Sequence, residues 1–507
     1  MSEFMTGERE RPRPFRSGAS LLALGLAGLA LTGCVNTPRP TPDIRLPAAY
    51  EALAGAALPQ ASLDRWWTSF NDPQLTSLIE TALERSPDTR RAAAVLDEAR
   101  AVRKGQIRQL YIPTTPLTGS ASKTHTEIID QSLPAGSFAT TRGGESESYG
   151  ANFDVSWELD LWGRRRAARQ VVDNDLAAAR FSYEGTRATL AASVAQSYFD
   201  ARGLAAQLED ARENARINGE LREFSTKKAK AGLIAGSEAD RAAADEAQSL
   251  AQVESLQGQL TAAQRSLLIL VGRGIDPVAS LPVDATLNAA PSIPAMVPGD
   301  LLARRPDVRE AQARLASASG NLKINELALL PTFNLAPGVG LSKSISPSFG
   351  TGGGTTSTTS SHWTLVATVS LPVLNIPSLL ADIDAQDART RQAAIAYEKA
   401  VQTAYGEAEN AMAQLAADQR RVALLTDGEA RARRAYAAGR KGYTLGLTDQ
   451  TSTLQSETSW RLARTALTGA KTQALQRAVQ AYKALGGGWS PEAVASQDQT
   501  KTQVSSK

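Results

Sequence analysis

The sequence has 507 residues, with 55 Lys and Arg against 52 Asp and Glu, and a formal charge of +3. This near-balance argues against a nucleic-acid partner, because such binding normally requires a concentrated basic face. The chain contains a single cysteine, Cys34, so it cannot form an internal disulfide.

The N-terminal residues predict export. Arginines precede an apolar run at 21–31, which is too short to span a bilayer and is typical of a signal-peptide core. The run ends in LTGC, the pattern of a bacterial lipobox, which predicts cleavage after Gly33 and a covalent lipid on Cys34. The alternative is a free thiol beside an ordinary signal peptide. Loss of residues 1–33 would remove four Arg and three Glu, leaving a charge of +2.

The remaining sequence repeats itself at an offset of 212 to 219 residues. ERSPDTRRAAAVLDEAR, from Glu84, corresponds to ARRPDVREAQARLASAS, from Ala303, and VSWELDLWG corresponds to TVSLPVLNI. Such self-similarity predicts a duplicated structural unit. The predicted division is a signal peptide at 1–33, an N-terminal anchored segment at 34–80, a first repeat at 81–297, a second repeat at 298–486 and a polar C-terminal tail at 487–507.

Each repeat is predicted to run helix, strand, polar loop, strand, very long helix, helix. The linkers DQSLPAGSFATTRGG and SPSFGTGGGTTSTTSS are too polar for a core and predict exposed hairpin tips. Four strands cannot close a barrel by themselves, so a membrane-spanning sheet would need further copies, eight strands in a dimer or twelve in a trimer. The predicted strands are 114–127, 147–161, 332–342 and 363–373.

One very long helix is predicted over 164–230, which contains no proline and little glycine. Apolar and small residues recur in it at alternating spacings of four and three, which is typical of coiled-coil packing. The second repeat has the same pattern from Val401 to Leu415. The heptad positions of the first long helix are Leu190, Val194, Ser197, Ala201, Leu204, Leu208, Ala211 and Ala215.

The junction FDVSWELDLWGRRR changes from a period-two strand to a helix within two residues. Aromatic rings and arginines at that point are typical of a strand leaving a bilayer. The alternative is a soluble sandwich strand with a basic turn. The predicted membrane-interface residues are Trp157, Trp162, Arg164, Arg165 and Arg166.

The sequence resembles the outer-membrane efflux protein family, the TolC-like outer membrane factors, and within it the lipoprotein branch of the OprM and NodT type. The resemblance covers nearly the whole mature chain. Its most specific parts are WWTSFNDPQLTSLIETAL, the phrase LLARRPDVREA and the WELDLWGRRR junction. It implies a mainly α fold with a small β part: a trimeric α-barrel of long coiled-coil helices joined to a twelve-stranded transmembrane β-barrel with four strands per protomer.

The resemblance also implies partners and a location. It implies a homotrimer in outer-membrane lipid of a Gram-negative bacterium, with a long periplasmic extension, a periplasmic adaptor and an inner-membrane pump of the RND type. The family closes its periplasmic end with rings of side chains, often aspartates, where this chain has Ser452 and Gln455. The aperture and docking candidates are Gly232, Glu238, Arg440, Lys441, Gly446, Asp449, Ser452 and Gln455.

Catalytic and metal-binding patterns are absent from the sequence. It contains no HExxH, paired-cysteine, GxSxG or Walker A pattern. Its two histidines, His125 and His362, lie in predicted strand regions and are interpreted as barrel-lining or surface residues. We therefore expect neither an enzyme nor any cofactor or metal beyond the lipid on Cys34.

The preferred hypothesis is a passive exit duct for drugs or other small molecules, driven by an inner-membrane pump. The first alternative is a duct of the same architecture for type I protein secretion. The second is a lipid-anchored coiled-coil scaffold without a pore, which accounts for Cys34 and the heptads but gives four amphipathic strands no role.

Overall fold

The computed structural model describes residues 44–47, 50–51, 63–127, 144–292, 298–347, 354–445, 447–448 and 450–490. Four predicted site residues lie outside these ranges, namely Gly33, Cys34, Gly446 and Asp449. The same is true of most of the loop predicted between the first two strands.

The described chain is mainly α-helical with one small sheet, as predicted. Short 3-10 helices lie at Trp66–Phe70, Val278–Ser280 and Val373–Asn375. The strands are β1 Leu117–Thr126, β2 Gly144–Asp154, β3 Trp157–Leu159, β4 Thr332–Pro347 and β5 Thr355–Ser370. The helices are α1 Pro73–Arg85, α2 Pro87–Tyr111, α3 Arg164–Lys230, α4 Gly236–Leu270, α5 Asp300–Arg304, α6 Pro306–Leu327, α7 Ile376–Thr444 and α8 Gln450–Ala484.

Both repeats close through the same backbone contact. Gly272 follows α4 with a φ of +80°, and a Cβ built on it would lie 2.8 Å from the carbonyl oxygen of Arg85. Gly486 follows α8 with a φ of +76°, and its Cβ would lie 2.9 Å from the carbonyl oxygen of Arg304. Only glycine fits this conformation and this approach without strain. The duplication seen in the sequence therefore extends to the way each repeat ends.

The compact units of the chain do not follow the repeats. One unit takes residues 105–172 and 317–391, and the other takes most of the helical residues. The predicted boundaries 81–297 and 298–486 therefore do not mark compact domains. The physical reason is strand pairing, because β2 of the first repeat is hydrogen-bonded to β4 of the second. The predicted boundary at residue 80 falls inside α1.

The sheet is antiparallel, in the order β1, β2, β4, β5, with β3 also paired to β4. β2 and β3 keep one register along β4, and between them the Val155 amide donates to the Pro337 carbonyl at 2.9 Å. They therefore act as a single strand, as the sequence predicted for 147–161. β4 and β5 differ from the prediction: β4 continues to Pro347 and β5 begins at Thr355.

The missed strand residues are mostly serine and threonine. The antiparallel pairing of β4 with β5 is continuous up to the pair Pro347 and Thr355. Ser342 Oγ and Ser360 Oγ lie 2.8 Å apart across it. The polar composition of these residues predicted a loop. They form strand instead, because threonine is β-branched and the backbone hydrogen bonds continue along the two strands.

The first long helix was predicted correctly, because α3 spans Arg164–Lys230. Six of its eight predicted heptad residues are buried, and Ser197 and Leu204 are partly buried. The aromatic core beside it contains Trp66, fully buried and stacked on Tyr482 at 5.7 Å. Within the described residues, no helix is both long enough and apolar enough to cross a membrane.

The predicted polar tail at 487–507 is wrong in its first four residues. Trp489 is 5% exposed, and its Nε1 donates to the Arg304 carbonyl at 2.8 Å. The Gly488 amide donates to the Leu63 carbonyl at 2.9 Å. A Gly-rich stretch looked like a linker in the sequence, but here glycine allows the backbone to lie against Trp66.

Candidate functional site: the amphipathic sheet and the hairpin ends

The sheet has one apolar and one polar face. Odd-numbered residues of all strands share a face, because each pairing register joins odd with odd. One such row contains Leu117, Phe153, Val339 and Trp363, and its outer members are 77% and 78% exposed. A contiguous exposed apolar face of this kind marks a surface that contacts lipid or another protein.

The apolar band has the length of a membrane-spanning strand. Along β4 it runs over nine residues, from Phe333 to Leu341, which matches the ~9–11 residues with which a tilted strand crosses a bilayer. Beyond Leu341 the same face becomes charged, with Lys343 and, on β1, Lys123. Lys123 pairs with Glu145 at 2.6 Å.

The predicted interface residues of the first repeat lie at the other end of this band. Trp157 is 43% exposed on the apolar face, and Trp162 donates from Nε1 to the Pro331 carbonyl at 2.8 Å. The Asp160 carboxylate accepts the backbone amides of Arg164 at 2.7 Å and Arg165 at 3.0 Å. Gly163, with a φ of +81°, makes the turn. Asp160 therefore ends the strand region and caps α3, which explains why strand and helix follow each other so closely.

The second repeat makes the corresponding junction without charge. From Ser344 to Ala381 the sequence contains no Asp, Glu, Lys or Arg. The apolar face continues past β5 through Leu371 and Val373, and Leu374 is 94% exposed. The triple arginine of the first junction thus has no counterpart in the second.

The first hairpin end joins α3 to α4. Gly232 has a φ of +70°, and the Leu233 amide donates to the Lys228 carbonyl at 2.9 Å, a Schellman ending. Leu233 is 71% exposed. The predicted docking residue Glu238 lies exposed in the first turn of α4.

The second hairpin end joins α7 to α8 and closes on one carbonyl. The Gly439 carbonyl accepts hydrogen bonds from Thr448 Oγ1 at 3.2 Å and Thr453 Oγ1 at 3.4 Å. Leu445 and Leu447 are 64% and 76% exposed. The predicted residues Arg440, Lys441, Ser452 and Gln455 are all exposed around this turn.

Polar contacts connect the two hairpins. Lys228 Nζ lies 3.3 Å from Tyr443 Oη and 4.5 Å from the centroid of the Phe224 ring. Further along, Asp210 of α3 forms an ion pair with Arg464 of α8 at 2.5 Å. Sequence reasoning missed these pairs, because nothing in either repeat indicates which residues of the other it faces.

A buried carboxylate lies in the second hairpin. Glu457 is 2% exposed, and its only ion pair among the described residues is with Arg461 at 3.5 Å. Burial raises the pKa of its carboxyl group, which Arg461 and Arg440 partly oppose. The described residues contain no group of three or more His, Cys, Asp or Glu that could hold a metal ion.

The fold is that of an outer-membrane channel. The solved outer-membrane channel OprN matches this chain with a TM-score of 0.72 at 28% sequence identity. The match covers 90% of this chain and 100% of the OprN chain. Two proteins of Pseudomonas putida are 30% identical to this chain. They are the toluene efflux pump outer membrane protein TtgC and the antibiotic efflux pump outer membrane protein ArpC, each aligned over 93% of this chain and 96% of the relative.

The family follows from the sequence as a whole. The model of the outer membrane efflux protein family matches residues 78–273 and 297–487, which correspond closely to the two repeats. This chain belongs to the outer membrane efflux protein family. Its location is therefore the outer membrane, and its role is in efflux.

Proposed function

We propose that this protein is the exit duct of a tripartite efflux system, conducting small molecules passively from the periplasm to the outside as a homotrimer. An inner-membrane pump of the RND type supplies the energy, and a periplasmic adaptor joins the two. The lipid on Cys34 anchors each chain. The observation that carries the proposal is the amphipathic sheet, whose apolar band has the length of a tilted membrane-spanning strand.

The sheet has two edges, β1 and β5, that form no further strand pairs among the described residues. In lipid each unpaired backbone group costs several kcal/mol, so the edges must pair. Pairing β5 of one copy with β1 of the next closes the sheet, and three copies give twelve strands. Trp157, Trp162 and Arg164 to Arg166 then lie at the membrane interface, while the Ser/Thr-rich face lines the duct.

The hairpin ends serve docking and gating in this proposal. Leu233, Leu445 and Leu447 present exposed apolar side chains for the adaptor. The Lys228–Tyr443 contact holds the ends of the two hairpins together in the closed form. The proposed docking and aperture residues are Gly232, Glu238, Arg440, Lys441, Gly446, Asp449, Ser452 and Gln455.

The relatives support small organic molecules as cargo. TtgC and ArpC are named for toluene and antibiotics. The polar face, formed mainly by hydroxyl, amide and glycine residues, offers hydrogen bonds to polar groups of molecules that pass along it. No bond is made or broken in this role.

The test uses a deletion strain complemented with variants. Leu447→Lys should abolish drug resistance and site-specific cross-linking to the adaptor, because it places a charge in the docking surface. Leu424→Lys is the matched control, since Leu424 is also 76% exposed but lies within α7. Native mass spectrometry of the wild type should show a trimer.

Two results would overturn the proposal. One is unchanged drug sensitivity on deletion together with no adaptor cross-links at the hairpin ends. The other is a monomer in native mass spectrometry. Retention of a secreted polypeptide in the deletion strain would instead favour protein secretion.

A further inference from the structure

Two glycines on the polar face of the sheet leave space that side chains of the neighbouring strands occupy. Gly338 and Gly340 occupy even positions of β4, between β2 and β5. Across the sheet, Gly338 is paired with Asp154 of β2 and Thr364 of β5. Gly340 is paired in the same way with Asn152 and His362. We call these six residues the glycine notch.

The four side chains lean over the glycines. A Cβ built on Gly338 would lie 2.5 Å from Asp154 Oδ1 and 2.8 Å from Thr364 Oγ1. A Cβ built on Gly340 would lie 2.6 Å from His362 Nε2 and closer still to Asn152 Oδ1. Each pair therefore occupies the space that a side chain at the glycine would fill, one member from each neighbouring strand.

All four atoms can accept hydrogen bonds, and one belongs to a carboxylate. The lysines of the described strands, Lys123 and Lys343, are at odd positions and so lie on the opposite face. A site that combines several acceptors with a negative charge favours a cation that donates hydrogen bonds.

The distances within each pair suit an ammonium group. Asp154 Oδ1 and Thr364 Oγ1 lie at most about 5.3 Å apart, given their distances to one point. The same limit is about 4.8 Å for Asn152 Oδ1 and His362 Nε2. An ammonium nitrogen with hydrogen bonds of ~2.9 Å bridges acceptors up to ~5.8 Å apart, so both members of either pair are close enough to bind the same ammonium group.

We propose that the glycine notch binds the ammonium group of primary amines. Asp154 supplies the counter-charge, and Thr364, Asn152 and His362 accept the N–H groups. The notch belongs to a single chain. Its consequence for cargo, a preference for amine-bearing molecules, rests on the proposed function, in which the polar face lines the duct.

The test is calorimetric titration of purified full-length protein in detergent with 1,4-diaminobutane. We expect one site per chain. Asp154→Asn should weaken binding roughly 10- to 100-fold, as expected for a hydrogen bond to a charged group. Glu147→Gln, on the opposite face, should leave it unchanged. Tetramethylammonium, which has the charge but no N–H donor, should bind at least tenfold more weakly.

A second pair of variants tests the shape of the site. Gly340→Ala should abolish binding, because its Cβ displaces the Asn152 and His362 side chains from the space that they occupy. Gly119→Ala should leave binding unchanged, since a Cβ there meets nothing within 4 Å. Unchanged binding in Asp154→Asn, equal binding of tetramethylammonium, or no binding to the wild type would each overturn the proposal. Because nothing is transported in the assay, its result is independent of the efflux tests above.

Discussion

Each repeat buries one arginine, and the two are neutralised in different ways. Arg202 in the first repeat pairs with Asp72, and both side chains are only 7% exposed. Arg305 in the second repeat has a 9% exposed side chain but pairs with Asp307 and Glu407, which are 53% and 54% exposed. Arg202 also lies 3.9 Å from Asp284, whose side chain is 67% exposed. The first arginine thus has one close, buried partner and one distant, exposed partner, whereas the second has two exposed partners. A buried charge that depends on one close, buried partner is the more vulnerable arrangement.

The largest expected effect comes from breaking the buried pair. Asp72→Ala should lower the free energy of unfolding by about 3–5 kcal/mol, because it leaves the buried Arg202 with only the distant, exposed carboxylate of Asp284. It also removes the α1 cap that accepts the Leu75 amide. Glu407→Ala should cost only about 1 kcal/mol, because Arg305 keeps Asp307. Urea unfolding of both variants tests the difference, and equal losses would contradict it.

The glycines that end the two repeats should respond alike. Gly272→Ala and Gly486→Ala should each cost about 2–4 kcal/mol, from a positive φ plus a Cβ pressed against a backbone carbonyl. Thermal unfolding followed by circular dichroism would measure both. Gly428→Ala is the control, because Gly428 lies in α7 with nothing near its Cβ, and it should stabilise by up to ~1 kcal/mol. A large difference between the first two variants would show that the closing contacts are not equivalent.

A smaller effect is expected at the first junction. Asp160→Ala should cost about 1 kcal/mol and speed hydrogen exchange at the Arg164 and Arg165 amides, because those amides lose their acceptor. Glu158→Gln should leave this exchange unchanged, since Glu158 accepts neither amide. Protection that persists in Asp160→Ala would mean that the strand-to-helix turn does not depend on the cap.

The smallest expected effect is a difference between the two helical hairpins in how a glutamate changes stability with pH. The pKa of Glu457 is raised in the folded state by burial, so the folded state binds its proton more tightly and loses stability as pH rises above the unfolded value. Glu457→Gln should therefore stabilise the protein by roughly 0.5–1 kcal/mol at pH 8, with the gain vanishing near pH 4. Glu246→Gln should instead destabilise at pH 8, because Glu246 pairs with Arg222 at 2.5 Å. Urea unfolding of both variants at pH 4 and pH 8 measures these changes in the free energy of unfolding. If Glu457→Gln stabilised the protein equally at both pH values, burial of the carboxylate would not be the cause.

Local regularity decided what the sequence could predict. The bounds of α3 followed from an uninterrupted helical composition. The strand predicted over 147–161 followed from a strict alternation that ends at Leu161. The extra strand residues of β4 and β5 were missed because serine and threonine are equally common in loops. The contacts of Asp72 with Arg202 and of Lys228 with Tyr443 join residues 130 and 215 positions apart, which no local pattern encodes. Asp72 did carry a partial signal, since Asp followed by Pro is a common helix start.

The burial of Trp489 has a consequence for proteolysis. This residue follows the end of α8 by five positions, yet it packs against Phe181 at 6.1 Å and bonds to the Arg304 carbonyl. A protease that cuts between Ala484 and Trp489 would therefore separate an aromatic contact from the helical core. We expect this stretch to resist cleavage in the folded protein, because its backbone and its tryptophan are held against that core.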